Sequence, residues 1–288
     1  MNWSAIDMPA QEGRRYVVTG ANAGIGAAMA TRLVAAGAHV TLACRNLEKA
    51  AAVAEPLGKS ATVAHLDLAD LSSVREFADG IGEFDVLINN AGVMALPMTR
   101  TVDGFEMQMG TNHLGHFALT GLVLGKVRER VIVMSSLAQN LGQIRPDDLN
   151  WTTRRYNRWS AYGDSKLANM VFGRELARRL TAGGSHVTVG IAHPGYAMTD
   201  LMTGSDTPVD YLMRAGEKLK VGQSPDAGAM PALYAATMDV PTGSYWGPKW
   251  ALRGAPSPAR YRGVADDQSA RDRLWAASEE LTEVSFDL

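Results

Sequence analysis

The stretch YVVTGANAGIG, from Tyr16 to Gly26, constrains the fold of this chain more than any other. Tyr16 to Thr19 make a short apolar run that breaks at Gly20, and AAMATRLVAAG then continues with helical spacing of its apolar residues. A strand that turns on glycine straight into a helix needs a neighbouring strand. The run His39 to Cys44 begins where the second strand of a βαβ unit falls. Gly20, Gly24 and Gly26 let the backbone approach a pyrophosphate, whose charge the N–H groups and dipole of the following helix would meet. Their spacing is GxxxGxG, distinct from the more widespread GxGxxG.

The same alternation runs through the chain. Apolar runs predict strands over Tyr16 to Gly20, His39 to Cys44, Ala61 to Asp67, Asp85 to Asn89, Arg130 to Ser135, His186 to His193 and near Tyr245. Helical patterns predict Ile25 to Ala36, a segment through LEKAAAVAEPLG, Ser73 to Ile81, Phe105 to Lys126, Tyr162 to Leu180 and Ala227 to Ala236. The expected fold is α/β: one doubly wound Rossmann domain over residues 1–288, its mostly parallel sheet of about seven strands covered by helices on both faces. Two irregular segments, 137–159 and 197–222, are long for loops in a compact domain and are candidate pocket walls; the first is polar but carries Trp151, Tyr156 and Trp159, and is either a flap over the pocket mouth or a free surface loop leading into the next helix.

Composition bounds the partners. A net charge of −2 gives no electrostatic case for nucleic acid or an anionic membrane. Cys44 is the single cysteine, which excludes an internal disulfide and a cysteine-based zinc site. The first residues lack an apolar core of signal-peptide length and no run of 18 apolar residues occurs, so a cytoplasmic protein is expected. His113 and His116 lie three apart, but no third ligand has suitable spacing and no metal is expected.

Chemistry concentrates on Tyr162 and Lys166 in SAYGDSKLAN. Four residues apart on a helix, they share a face, and a cation near the phenol favours the phenolate, making the tyrosine a proton donor and acceptor. Ser136 ends the apolar run RVIVMSS, at the carboxyl end of a strand where ligand crevices of such sheets lie. Ser135 and Ser136 point oppositely if both are in the strand, so one of them faces the crevice.

Taken together, TGANAGIG, the NNAG stretch Asn89 to Gly92, Asn112 in GTNHLGHF, the serine pair, YGDSK and PGYAMT closely resemble the short-chain dehydrogenase/reductase family. The pieces fall in family order from about Gly13 to about Gly247; ACRN, SSLAQNLGQI and WSAYGDSKLANMVFGRELARRL are similar to the retinol-dehydrogenase-like branch. The resemblance implies a catalytic tetrad of Asn112, Ser136, Tyr162 and Lys166. Tyr162 would move the proton, Ser136 hold the substrate oxygen, Lys166 act on both the phenol and the nicotinamide ribose, and Asn112 connect Lys166 to solvent through water. It also implies cofactor contacts at Gly20, Asn22, Gly24, Ile25, Gly26, Asn90, Ala91, Gly92, Tyr162, Lys166, Pro194, Gly195 and Thr199, and contacts to adenine at Asp67 and Leu68. Asp67 could equally cap the following helix.

At the end of the second strand, Cys44 is followed by Arg45, where an NAD enzyme normally carries a carboxylate for the ribose hydroxyls. NADP(H) is therefore expected, with Arg45 on the 2′-phosphate, and NAD(H) is the alternative. The expected activity is hydride transfer between the nicotinamide and a small-molecule carbonyl or alcohol. Tyr196, Met198, Leu201, Met202, Leu212 and Met213 either line a pocket for a lipophilic substrate or, as such a stripe at helical spacing usually does, pack in the core. A non-catalytic NADP(H)-binding regulator would share the fold without needing the tyrosine, lysine and serine together. Family members often form dimers or tetramers through the helices here read as 105–126 and 162–180.

Overall fold

The computed structural model describes residues 3–196 and 223–288. Eight strands form one sheet in the order β3-β2-β1-β4-β5-β6-β7-β8. They are β1 Arg15–Thr19, β2 His39–Cys44, β3 Ala61–His65, β4 Phe84–Asn89, β5 Val127–Met134, β6 Thr188–Ala192, β7 Ser244–Pro248 and β8 Pro256–Pro258. Every pairing is parallel except β7 with β8, which is antiparallel. The doubly wound fold is as expected, with one strand more than the sequence predicted. β8 went unread because it is three residues long and carries two prolines, which fits an edge position.

Alternate residues of each central strand enter opposite cores. Val17, Leu87, Val131 and Val133 join the layer containing Phe117 and Phe172. Val18, Ile88, Ile132 and Met134 join the layer containing Met29, Leu33 and Leu233. Both faces are buried, so the strands read as continuous apolar runs. The second layer is built on α1 (Gly24–Ala35), α2 (Leu47–Ala54) and α6 (Pro225–Thr237). The first is built on α3 (Leu71–Gly80), the helix over 107–126 (α4) and α5 (Arg158–Ala182).

Two helix starts matter for the site. Glu106 caps α4, its carboxylate accepting the N–H groups of Gln108 at 3.1 Å and Met109 at 2.7 Å. The helix then widens into a π turn over Gly110–Leu114, which carries Asn112. Asn157 caps α5 by accepting N–H bonds from Trp159 and Ser160, so this helix begins one turn before the predicted start.

Helix α7 (Gln268–Thr282) and the tail after it pack on α4 and α5. Phe286 lies 4.9 Å from the Phe117 ring and 4.6 Å from that of Trp275. A Cβ on Gly121 would come within 2.7 Å of Val284, so close approach of this tail requires glycine there. The two long helices thus bury Phe117 and Phe172 against a C-terminal segment of the same chain. Among the described residues, no helix is long and apolar enough to cross a membrane.

Candidate active site

The glycine turn is a cradle that side chains would fill. Gly20 has φ +66°, and a Cβ there would stand 2.9 Å from Cα of Ala91. A Cβ on Gly26 would stand 2.4 Å from the Gly20 oxygen and 2.6 Å from Nδ2 of Asn90. Gly24 opens α1 at φ +55°. The N-cap residue is Ala23, which has no side-chain acceptor, so the first N–H groups of α1 have no cap. Asn22 and Ile25 complete the turn. An uncapped helix end behind close-packed glycines is a fit for a pyrophosphate. Cys44 lies buried behind the turn; burial pushes its thiol up to about 11, against the N–H groups of Ala21, Asn22 and Gly20.

The NNAG stretch brings the next wall. Asn90 donates to the Thr19 carbonyl at 2.8 Å, which closes the stretch onto β1. Gly92 lies where a Cβ would be 3.1 Å from Oδ1 of Asn112 and 3.4 Å from Nζ of Lys166. Ala91 and Gly92 thus stand between the glycine turn and the residues expected to be catalytic.

Three of those residues meet at α5. Tyr162 and Lys166 are both buried, and Nζ of Lys166 lies 5.9 Å from the phenol ring centre. Burial holds the Tyr162 phenol above its ordinary pKa, opposed by the Ser136 hydroxyl. This differs from the expectation that Lys166 favours the phenolate. Desolvation penalises both charges, and it pushes Lys166 down to about 8. The phenol is therefore held as a neutral acid, beside a lysine that keeps much of its charge at neutral pH. Nζ makes one long contact among the described residues, 3.4 Å to the Met134 oxygen, leaving donors for another acceptor.

The two serines have different partners, although β5 ends at Met134, before either of them. Ser136 follows β5 and caps a 3-10 turn, accepting from Ala138 N–H at 3.2 Å, with its hydroxyl against Tyr162. Ser135 is buried and donates to the Lys166 carbonyl at 2.8 Å, fixing that turn of α5.

Asn112 is fully engaged. Its Oδ1 accepts Val93 N–H at 2.7 Å, and its Nδ2 donates to the Val93 carbonyl and to Ser165, each at 2.9 Å. The side chain therefore ties the segment after Gly92 to α5. Ser165, buried between Tyr162 and Lys166, went unread, since a serine in a helix carries no distinct signal.

At the other end of the crevice, Arg45 is 69% exposed, and its guanidinium is 3.9 Å from Asp67. Asp67 accepts Ala69 N–H at 2.9 Å, and the cap of α3 is Asp70, which accepts from Ser72 and Ser73. The capping alternative for Asp67 is thereby removed: the cap lies three residues on, directly before the helix. Leu68 is buried against Gly115. After β6, Pro194 precedes Gly195, whose φ of +68° and close approach to Leu252 exclude a side chain. Thr199 lies outside the described residues, as do Met198, Leu201, Met202, Leu212, Met213 and the segment 197–222.

The segment 137–159 is a fastened strap. Asp164, buried on α5, accepts Gln143 N–H at 2.7 Å and pairs with Arg154 at 3.1 Å and Arg145 at 3.7 Å. Arg154 also pairs with Asp148 at 3.1 Å and stacks 3.5 Å over the Trp151 ring. Tyr156 donates to Glu106 at 2.9 Å. These ties run to α4 and α5, which accounts for polar residues that read like a free loop.

A family model described as short chain dehydrogenase matches residues 14–209. Human retinol dehydrogenase 13 is 44% identical over 93% of this chain and 84% of its own length. Mouse retinol dehydrogenase 14 is 39% identical over 93% of this chain and 85% of its own. A crystal structure of an uncharacterized protein from Mycobacterium paratuberculosis superposes with TM-score 0.88 at 45% identity, covering all of both chains. A blue fluorescent protein from a metagenomic library, solved with NADPH, gives TM-score 0.64 at 26% identity over 84% of this chain and 98% of its own. The chain belongs to the short-chain dehydrogenase/reductase family of oxidoreductases, in its retinol-dehydrogenase-like branch.

Proposed function

We propose that the protein is an NADP(H)-dependent oxidoreductase acting on a lipophilic carbonyl or alcohol. The observation that carries the reading is the buried Tyr162 phenol beside the Ser136 hydroxyl, with Lys166 one turn along the same helix and its Nζ 5.9 Å from the ring centre. The bound nicotinamide supplies the hydride. Tyr162 gives a proton to the carbonyl oxygen in reduction, and in oxidation its phenolate, once its own proton has been lost to solvent, takes the proton of the alcohol. Ser136 orients that oxygen and stabilises its developing charge. Lys166, with donors to spare, holds the cofactor's ribose and keeps a positive charge near the phenol.

Arg45 supports NADP(H): it follows β2, is exposed, and among the described residues its one carboxylate partner lies at 3.9 Å. A 2′-phosphate would offer it a stronger one. The named retinol dehydrogenases among the relatives support a lipophilic substrate. The test is oxidation of NADPH and of NADH with a panel of long-chain, aromatic and retinoid aldehydes and ketones. Turnover with NADPH and the lipophilic members is expected. NADPH binding with no turnover of any member would instead favour the non-catalytic regulator.

A further inference from the structure

We propose that His116 is a positioning residue that joins the cofactor turn to the helix carrying Asn112; this rests on the oxidoreductase reading above. His116 stands four residues after Asn112 and is 2% exposed. Its Nδ1 lies 3.0 Å from the Asn112 main-chain oxygen, and its Nε2 lies 2.9 Å from Oγ1 of Thr19. A carbonyl oxygen only accepts, so Nδ1 carries the ring proton. Nε2 is then a lone pair, and the Thr19 hydroxyl donates to it.

That assignment uses Thr19 completely. Its oxygen accepts the N–H groups of Asn90 and Ala91, each at 2.9 Å. The Ile88 oxygen lies 3.4 Å away, a longer path for the hydroxyl proton than the imidazole. One donor and two acceptors are thus satisfied in a buried position. Ala91 in turn lies against Gly20. His116 is itself held, since Thr120 donates to its carbonyl at 2.7 Å and accepts from Asn89 at 2.8 Å.

The chain of bonds has a direction in the fold. One end of the imidazole acts on the hydroxyl that shapes Asn90 and Ala91 against the glycine turn. The other acts on the backbone of Asn112, whose amide holds Val93 and Ser165. A ring that is neutral suits both ends, because Thr19 has no further lone pair for an added N–H. Burial favours that neutral form, pushing the ring down to about 3 with help from the charge of Lys166. His116 therefore moves no proton at neutral pH and serves through geometry.

The test has two arms. Nitrogen-15 NMR of histidine-labelled protein should give a neutral His116 with its proton on Nδ1 across the pH range of the assay; an Nε2–H tautomer overturns the proposal. In the second arm, NADPH dissociation constants are measured by fluorescence for His116→Phe, Thr19→Val, their double variant and Thr19→Ser. Each of the first two should weaken binding about tenfold, as loss of a buried hydrogen-bond path does. The double should be within about threefold of either single, because both cut one path, and Thr19→Ser should bind like wild type. Folded variants with unchanged dissociation constants, or singles whose effects multiply, overturn it. If His116→Phe does not fold, the Thr19→Val and Thr19→Ser pair and the NMR arm decide. None of these readouts needs turnover, so failure of the proposed activity would be seen separately.

Discussion

Along the carboxyl edge of the sheet, Lys166 apart, polar side chains are buried neutral and joined by hydrogen bonds: Thr19 to His116, and Asn112 to Val93 and Ser165. On α5 away from that edge they are buried as ions. Asp164 sits between Arg154 and Arg145, and Glu175 among Arg178, Arg179 and Arg271. The difference follows from what each region must leave undisturbed. Near Tyr162 and Lys166, an extra buried charge would shift both proton affinities, whereas neutral groups fix geometry without changing the field. Asp164 is two positions from each of them, which on a helix turns it away from their shared face. There it fastens the strap 137–159 to α5, and Glu175 with Arg271 fastens α7.

Removing one ion from the outer cluster gives the largest expected effect. Asp164→Ala leaves Arg154 and Gln143 without their buried acceptor and should cost about 3 kcal/mol in denaturant unfolding. A cost below about 1 kcal/mol would mean the strap is held by its aromatics. The comparison predicts that NADPH affinity of the folded variant stays near wild type, since the cofactor side is built separately.

A smaller effect is expected at Arg45. Arg45→Ala should weaken NADPH binding by about 10- to 100-fold, the worth of a charged hydrogen bond, and leave NADH binding unchanged. Equal losses for both cofactors would remove the phosphate assignment.

The neutral region also sets an acid limit. Burial pushes His113 down to about 4, His116 to about 3 and His193 to about 4. Below pH about 6.5 an unfolded chain takes up protons on these rings that the folded chain does not. Their stabilisation is thus fully present above pH about 6.5 and lost as pH falls through the folded values. Each ring should contribute a slope of about 1.4 kcal/mol per pH unit in that window. A His116→Gln variant should lose one such share, and an unchanged slope would show the ring charging without cost.

Much of this was legible in the residues, for identifiable reasons. β2 has the bounds His39 to Cys44 that its apolar run predicts, because a strand buried on both faces leaves a continuous signal. The glycine turn was legible because only glycine fits at Gly20 and Gly26. α7 was not, since Gln268–Thr282 is mainly polar and reads as surface until Phe286 and Arg271 are seen to pack it down. The strap was half legible: Trp151, Tyr156 and Trp159 marked it as more than a linker, but its partners are distant in sequence. The role of His116 was not legible, because two histidines three apart raise only the question of a shared metal, and none was expected. Here each ring faces its own hydroxyl, His113 that of Ser278 and His116 that of Thr19.

The central claim is that Tyr162, kept neutral by burial and oriented with Ser136, is the proton donor of a hydride-transfer site. Its most direct test is turnover of wild type and Tyr162→Phe with saturating NADPH and the best aldehyde of the panel, with bound cofactor measured in the same samples. The account predicts a loss in kcat of about 10²- to 10⁴-fold, the usual contribution of a general acid, at equal NADPH occupancy. A variant that binds NADPH equally and turns over within a factor of two of wild type would contradict it.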